Sequence, residues 1–405
     1  MPNNILILGA VIMVGFIGNL FYSKTKIPES LFLMGLGILI GPVFNLVPGS
    51  FFLENASFLI TLALVVVLLD SGLTLHLYRT IGNVPLAFFF TLLVMLTTTL
   101  LVSAITFFIF GWPLMNGIFL GIIGSGTTTI TITHLVQKLN AGKNTKTLLV
   151  LESVVNDITL ITAISVLLAI ALPGAGLSAL PKAIFNEVVV SLLLGVAFAI
   201  LWAFLFLRWL PGHKLAYVFT LGLAFIIFDG SEYFGFNGPI TVLSFSLFLG
   251  NFSFLAKRLK AYSTILRPVS RDILAVRGTN AEITFLMRTL FFVFLGMIFD
   301  IGVIGYGIIL FAAIIMAAEV LSRYLCAKTL SWIKPRFSPS IPILTNLVAS
   351  GFTSTLVAFL SIEAGIKIPH LAEIVLLLVF LTTLWAIVST AIINRRNEVK
   401  GIKTY

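Results

Sequence analysis

The chain has 405 residues, 59% of them hydrophobic against 10% charged, and a mean hydropathy of +1.14, a balance that excludes an ordinary soluble protein and puts the chain in a lipid bilayer. A net charge of +10 would suit a nucleic-acid binder, yet the positive residues sit in short loops between apolar runs rather than in one patch, so they read as topology signals and no nucleic-acid partner is expected. The single cysteine, Cys326, has no partner for an internal disulfide, and the four histidines show no metal-ligand spacing, so no structural metal or cofactor is expected.

Cut at its polar and Pro/Gly-marked breaks into stretches of about 20 apolar residues, the chain reads as an all-α polytopic membrane protein with about 13 transmembrane spans. The first, 4–21, lacks a basic leader and a small-residue cleavage site, so it is expected to be a span and not a signal peptide. The others fall at 30–47, 57–76, 84–110, 114–138, 145–172, 184–207, 214–230, 233–254, 281–299, 301–328, 340–362 and 370–393. Lys and Arg cluster after the odd-numbered spans, whereas the opposite loops hold only Lys182 and Lys367. That alternation predicts an N-terminus outside and a cytoplasmic C-terminus. The basic linker from Ala256 to Asn280 is expected to lie along the inner membrane surface, and no soluble regulatory domain is expected beyond Thr390.

Spans five and twelve share a pattern: Gly124-Ser125-Gly126-Thr127-Thr128-Thr129 in one, Ser350-Gly351-Phe352-Thr353-Ser354-Thr355 in the other. A matched pair of Gly-interrupted spans is a pointer to the binding site of a transporter built from inverted repeats. A single domain over 1–400 is therefore expected, with one repeat at about 4–172, a linker helix at 184–207 and a second repeat at about 214–393. Gly126, Thr129, Gly351 and Thr353 mark the two discontinuous helices. Small and hydroxyl residues also serve plain helix packing, but two matched stretches favour unwound segments lining a protein cavity.

Ionisable residues inside spans are costly and usually functional. Those here are Asp70, Glu152, Asp157, Glu319 and Arg323, with Arg288 and Asp229 as outliers. In span six, Ser153 and Asp157 lie one turn apart on one helix face, and Glu152 and Asn156 on an adjacent face. Glu152 and Arg323 are the expected structural ion pair, with Glu319, one turn before Arg323, as the competing partner. Asp157 is then left to titrate. Asp70 is either an interfacial acid or a contributor to the site.

These residues resemble the cation/proton antiporter superfamily, specifically the sodium/proton antiporter branch of NhaP type with an Asn-Asp pair. Glu152-Ser153-x-x-Asn156-Asp157 carries the likeness, supported by Asp70-Ser71-Gly72-Leu73, where that family has Glu-x-Gly-Leu, and by the shorter stretches Ile38 to Pro42 and Phe291 to Gly296. The family's membrane arginine, about thirty residues before the second broken helix, lands on Arg323 rather than Arg288. The resemblance implies an NhaA-like inverted-repeat fold with two crossed discontinuous helices, a dimerisation domain interleaved with a mobile core domain, and a homodimer in a prokaryotic plasma membrane. Two departures stand out: Thr127-Thr128-Thr129 replaces Thr-Asp-Pro, and Ser350-Gly351-Phe352 has no arginine.

The expected function is electroneutral exchange of a monovalent cation for H+ by alternating access, with Na+ favoured over K+ and with Li+ as another transported ion. Asp157 would hold proton or cation in turn, while oxygens of Ser153, Thr127 and Thr128, and Asp70, complete a shell suited to a hard ion; Asn156 contributes a neutral hydrogen-bonding group. The alternatives are K+/H+ exchange and a sodium-coupled organic-solute symporter. No repeated filter segment suggests a channel, and no nucleophile and base suggest an enzyme.

Overall fold

The structure, a computed structural model, describes residues 9, 12–13, 15–17, 29–45, 56–75, 83–139, 141–171, 185–208, 215–258, 267–299, 302 and 305–399. Among the described residues all regular structure is helical. The α-helices are α1 (Glu29–Ile38), α2 (Ala56–Thr74), α3 (Val84–Phe108), α4 (Leu114–Gly124), α5 (Thr129–Lys138), α6 (Lys143–Ala171), α7 (Ser191–Arg208), α8 (Ala216–Tyr233), α9 (Gly238–Arg258), α10 (Arg267–Met297), α11 (Tyr306–Ile333), α12 (Ile341–Asn346), α13 (Phe352–Glu363) and α14 (Leu371–Val399). A π turn extends α1 through Leu39–Val43, another leads into α7 at Phe185–Val190, and a 3-10 turn at Pro335–Ser340 precedes α12. Spans two to thirteen of the sequence reading fall on these helices; most of the expected first span lies outside the described residues.

Among the described residues, six stretches are long and apolar enough to cross a bilayer by themselves: α3, α6, Val188–Phe206, Asp272–Met297, α11 and Leu371–Arg395. The 25 residues of α3 rise about 38 Å at 1.5 Å each, enough for a hydrocarbon core of about 30 Å. Its amphipathicity is inverted relative to a soluble helix. Thr91, Thr98, Ser103 and Thr106 face inward at near-helical spacing, whereas Phe88, Phe89, Leu96, Leu100, Phe107 and Phe108 are exposed, which suits a helix whose outer solvent is lipid.

The segment expected on the membrane surface is different in part. From Arg267 it belongs to α10, one continuous helix that runs on to Met297. Ile273, Val276, Asn280 and Thr284 are buried and recur every three or four residues, so a single helical stripe crosses the polar-to-apolar boundary at 281 where hydropathy starts the span. Residues 259–266 lie outside the described residues.

The chain forms two compact units. The first comprises Met1–Ala56, Gly82–Ile164 and Phe292–Tyr405; the second comprises Ser57–Ile81 and Ser165–Phe291. In the first, α11 packs on α3, α12 and α14, and α4 lies along α3. In the second, α9 packs on α7 and α8. There Trp202 stacks on Phe206 at 4.1 Å and donates from Nε1 to Thr220 Oγ1 at 2.9 Å, while Ser244 donates to the Leu192 carbonyl at 2.7 Å.

Candidate ion-binding site

Span five breaks after Gly124 because Gly124-Ser125-Gly126 offers low helix propensity and Ser125 turns its hydroxyl back on the Ile122 carbonyl at 2.7 Å. The chain resumes as α5 at Thr129. Span twelve breaks between Asn346 and Phe352. The two breaks meet in the first unit: the Thr128 amide donates to the Ala349 carbonyl at 2.8 Å. Gly351 is extended (φ −161°), which any residue tolerates. Glycine is needed there for space, because the Thr128 side chain occupies the position of a would-be Cβ.

Unwound backbone inside a membrane protein must find partners, and Asn156 on α6 supplies both kinds. Its Oδ1 accepts from the Thr127 amide at 2.8 Å and its Nδ2 donates to the Ser125 carbonyl at 3.1 Å. An ionised carboxylate has no donor and would fail at the second bond.

One residue on, Asp157 is half-buried and joins both broken helices. Oδ2 accepts from the Thr129 hydroxyl at 2.9 Å and Oδ1 from the Thr353 hydroxyl at 2.7 Å. Thr129 opens α5 and Thr353 is the second residue of α13. The carboxyl thus stands at two helix N-termini, the ends whose partial positive charge favours an anion.

One turn before Asn156, Glu152 is wholly buried. Arg323 on α11 binds it through two parallel bonds, Nη1 to Oε1 and Nη2 to Oε2, each 3.1 Å, with side chains 2% and 0% exposed. Arg323 Nε donates to the Leu344 carbonyl at 3.1 Å, and its guanidinium lies over the Phe90 ring, 5.8 Å from the centroid. Fully paired and fork-matched, the two charges tie α6, α11 and α12 together.

The sequence matches the family described as Sodium/hydrogen exchanger, transmembrane, over residues 9–395. The chain belongs to this family of cation/proton exchangers. Its fold is similar to that of the sodium proton antiporter MjNhaP1 from Methanocaldococcus jannaschii, in a structure at pH 8 (TM-score 0.75, 20% identity, covering 97% of this chain and 96% of that one). A second structure of that antiporter, from electron microscopy, gives TM-score 0.72 at 20% identity, with 100% and 99% covered. Among curated proteins no match is found.

The exchanger places its other candidate residues as follows. Ser153 is buried and donates to the Val150 carbonyl at 3.0 Å, one turn back on its own helix. Thr127 Oγ1 is buried without a hydrogen-bond partner, and Gly126 packs directly against the Ser354 hydroxyl. Asp70 belongs to the second unit. There Asn280 Nδ2 donates to its Oδ1 at 3.4 Å and to Thr284 Oγ1 at 3.2 Å, and Arg288 and Arg277 act on it electrostatically. In the sequence Thr129 and Thr353 mark the helix breaks alone, yet theirs are the hydroxyls on Asp157. The available signal was position: each is a hydroxyl residue at the restart of a half-helix, where side chains gather round a common centre.

Proposed function

We propose that the exchanger trades one monovalent cation, Na+ in preference to K+, for one proton by alternating access, electroneutrally, with Asp157 holding either in turn. The observation that supports this reading best is the pairing of the two Asp157 oxygens with one hydroxyl from each broken helix. A hydroxyl both donates and accepts. Thr129 and Thr353 donate to the ionised carboxylate; when a cation binds, the same hydroxyls rotate and offer lone pairs beside it. Thr127, Thr128 and Ser153 are proposed as further oxygen ligands of the cation-bound state, with Asn156 holding the break open for them. A proton on Asp157 removes the negative charge that the cation needs, so the two compete. The charge alternation along the sequence supports an outside N-terminus and a cytoplasmic C-terminus. The family resemblance supports a homodimer in a prokaryotic plasma membrane, serving pH homeostasis.

The test is proton flux in proteoliposomes with Na+, Li+ or K+ added singly, for the wild type and for Asp157→Asn. Coupled flux should respond to Na+ and Li+ above K+ and vanish in the variant, which should remain folded. Wild-type exchange by Asp157→Asn sinks the assignment, and an equal or stronger response to K+ moves the reading to K+/H+ exchange.

A further inference from the structure

Glu319 takes no part in the site just described. It sits midway along α11, 2% exposed, and neither carboxyl oxygen receives a hydrogen bond. The cation one turn on, Arg323, acts on it through space; the hydrogen bonds of its guanidinium go to Glu152 and to the Leu344 carbonyl. Helix α6, tied to α11 through Arg323, carries Glu152, which Arg323 binds, Asp157, which accepts from Thr129 and Thr353, and Lys143 and Lys146 in its first turn. Helices α3, α4 and α12 contain no ionisable residue, those of α14 stand at its ends (Glu373, Arg395, Arg396 and Glu398), and the 3-10 turn has only Arg336. On α11 itself the other ionisable side chains are Tyr306, Tyr324, Cys326 and Lys328.

What Glu319 does meet is the end of the first half-helix. A Cβ built on Gly124 would lie 2.8 Å from Glu319 Oε1, so the carboxyl fills the room that a side chain at position 124 would take. Gly124 is the last residue of α4. The amides of Ser125 and Gly126 bond to carbonyls of Gly121, Ile122 and Ile123, that of Thr127 to Asn156, and that of Thr128 to Ala349. None of them reaches the Gly124 carbonyl. A helix C-terminus carries partial negative charge and wants donors. An ionised Glu319 would bring a second set of acceptors into the same dry place, whereas the neutral acid brings a donor.

We propose that Glu319 is a positioning residue that keeps its proton through the transport cycle and donates it to the free carbonyl end of the first half-helix at Gly124, fastening α4 to α11. The inference needs the fold alone and not the role given to Asp157.

Infrared difference spectra of the full-length protein, wild type minus Glu319→Gln at neutral pH, should show the carbonyl stretch of a protonated carboxylic acid; a carboxylate signature in its place overturns the proposal. Glu319→Gln keeps a donor and has no proton to lose. It should retain the wild-type proton-to-cation ratio and hold its melting temperature further into the alkaline range, where the wild type is destabilised as a charge enters the buried position. Glu319→Ala should slow exchange by roughly five- to tenfold, the loss of about one hydrogen bond. An altered ratio in Glu319→Gln would make Glu319 a transported-proton site, and an identical alkaline decline in both proteins would remove the protonated donor; either result refutes the proposal.

Discussion

Asn156 and Asp157 are neighbours of nearly equal shape with different tasks. The amide of Asn156 completes two backbone groups of an unwound segment, so Asn156→Ala should lower stability by about 1–3 kcal/mol by leaving both unpaired in a buried place. Asn156→Asp should do no better, because its new oxygen meets the Ser125 carbonyl; thermal unfolding measures both. At Asp157, Thr353→Val and Thr129→Val keep volume and remove the hydroxyl. Each is expected to raise the cation KM severalfold with less effect on the maximum rate, and Thr353→Ser should restore it. Cation titrations that leave KM unchanged would dissociate these hydroxyls from the cation. Helical spacing made the polar face of α6 legible, since Glu152, Asn156 and Asp157 need only a regular helix to be placed. It was silent on which threonines of a broken helix reach Asp157, because every unwound residue changes the angle at which the next helix starts. Ser153 shows a related limit of spacing: one turn from Asp157, its hydroxyl donates within its own helix, so only its oxygen lone pairs remain to face a cation.

At the scale of elements, the crossing depends on bare glycine surfaces. Gly126→Ala should be overpacked against the Ser354 hydroxyl and cost about 1–3 kcal/mol, with part of the loss recovered in the double variant with Ser354→Ala. Strictly additive melting shifts would show that the two positions are independent. Arg323→Ala strands a buried charge on Glu152 and should cost roughly 3–5 kcal/mol, more than Arg288→Ala; neutralising Glu152 as well should return part of that. The break positions were readable because Gly and hydroxyl residues interrupt two otherwise apolar runs. The true start of α10 was not, since hydropathy reports where a helix enters an apolar layer and not where its hydrogen bonding begins.

For the whole molecule, one site shared by proton and cation has a kinetic signature. Raising the proton concentration equally on both sides should raise the apparent cation KM strongly and change the saturated rate much less; a falling maximum rate at constant KM would indicate separate sites. Asp70→Asn measured in parallel shows whether that acid takes part: loss of the competitive pattern would give it a share of the proton. The all-helical, polytopic character was legible because bilayer thickness demands long apolar helices, and most of the expected spans fall on helices of the described residues. The grouping of the chain into two compact units, with α6 and α10 each contributing residues to both, depends on packing between distant segments and leaves no local pattern. The bond between the two breaks also makes them visible to isotopes. The Thr127 and Thr128 amides lie outside any helix, yet both are occupied, by Asn156 and by Ala349. In deuterated buffer they should label as slowly as helical amides. If added cation quickens the labelling of Thr128 while Thr127 stays slow, the two breaks part during transport while the first keeps its hold on α6, and that motion is timed without attaching any probe to the protein.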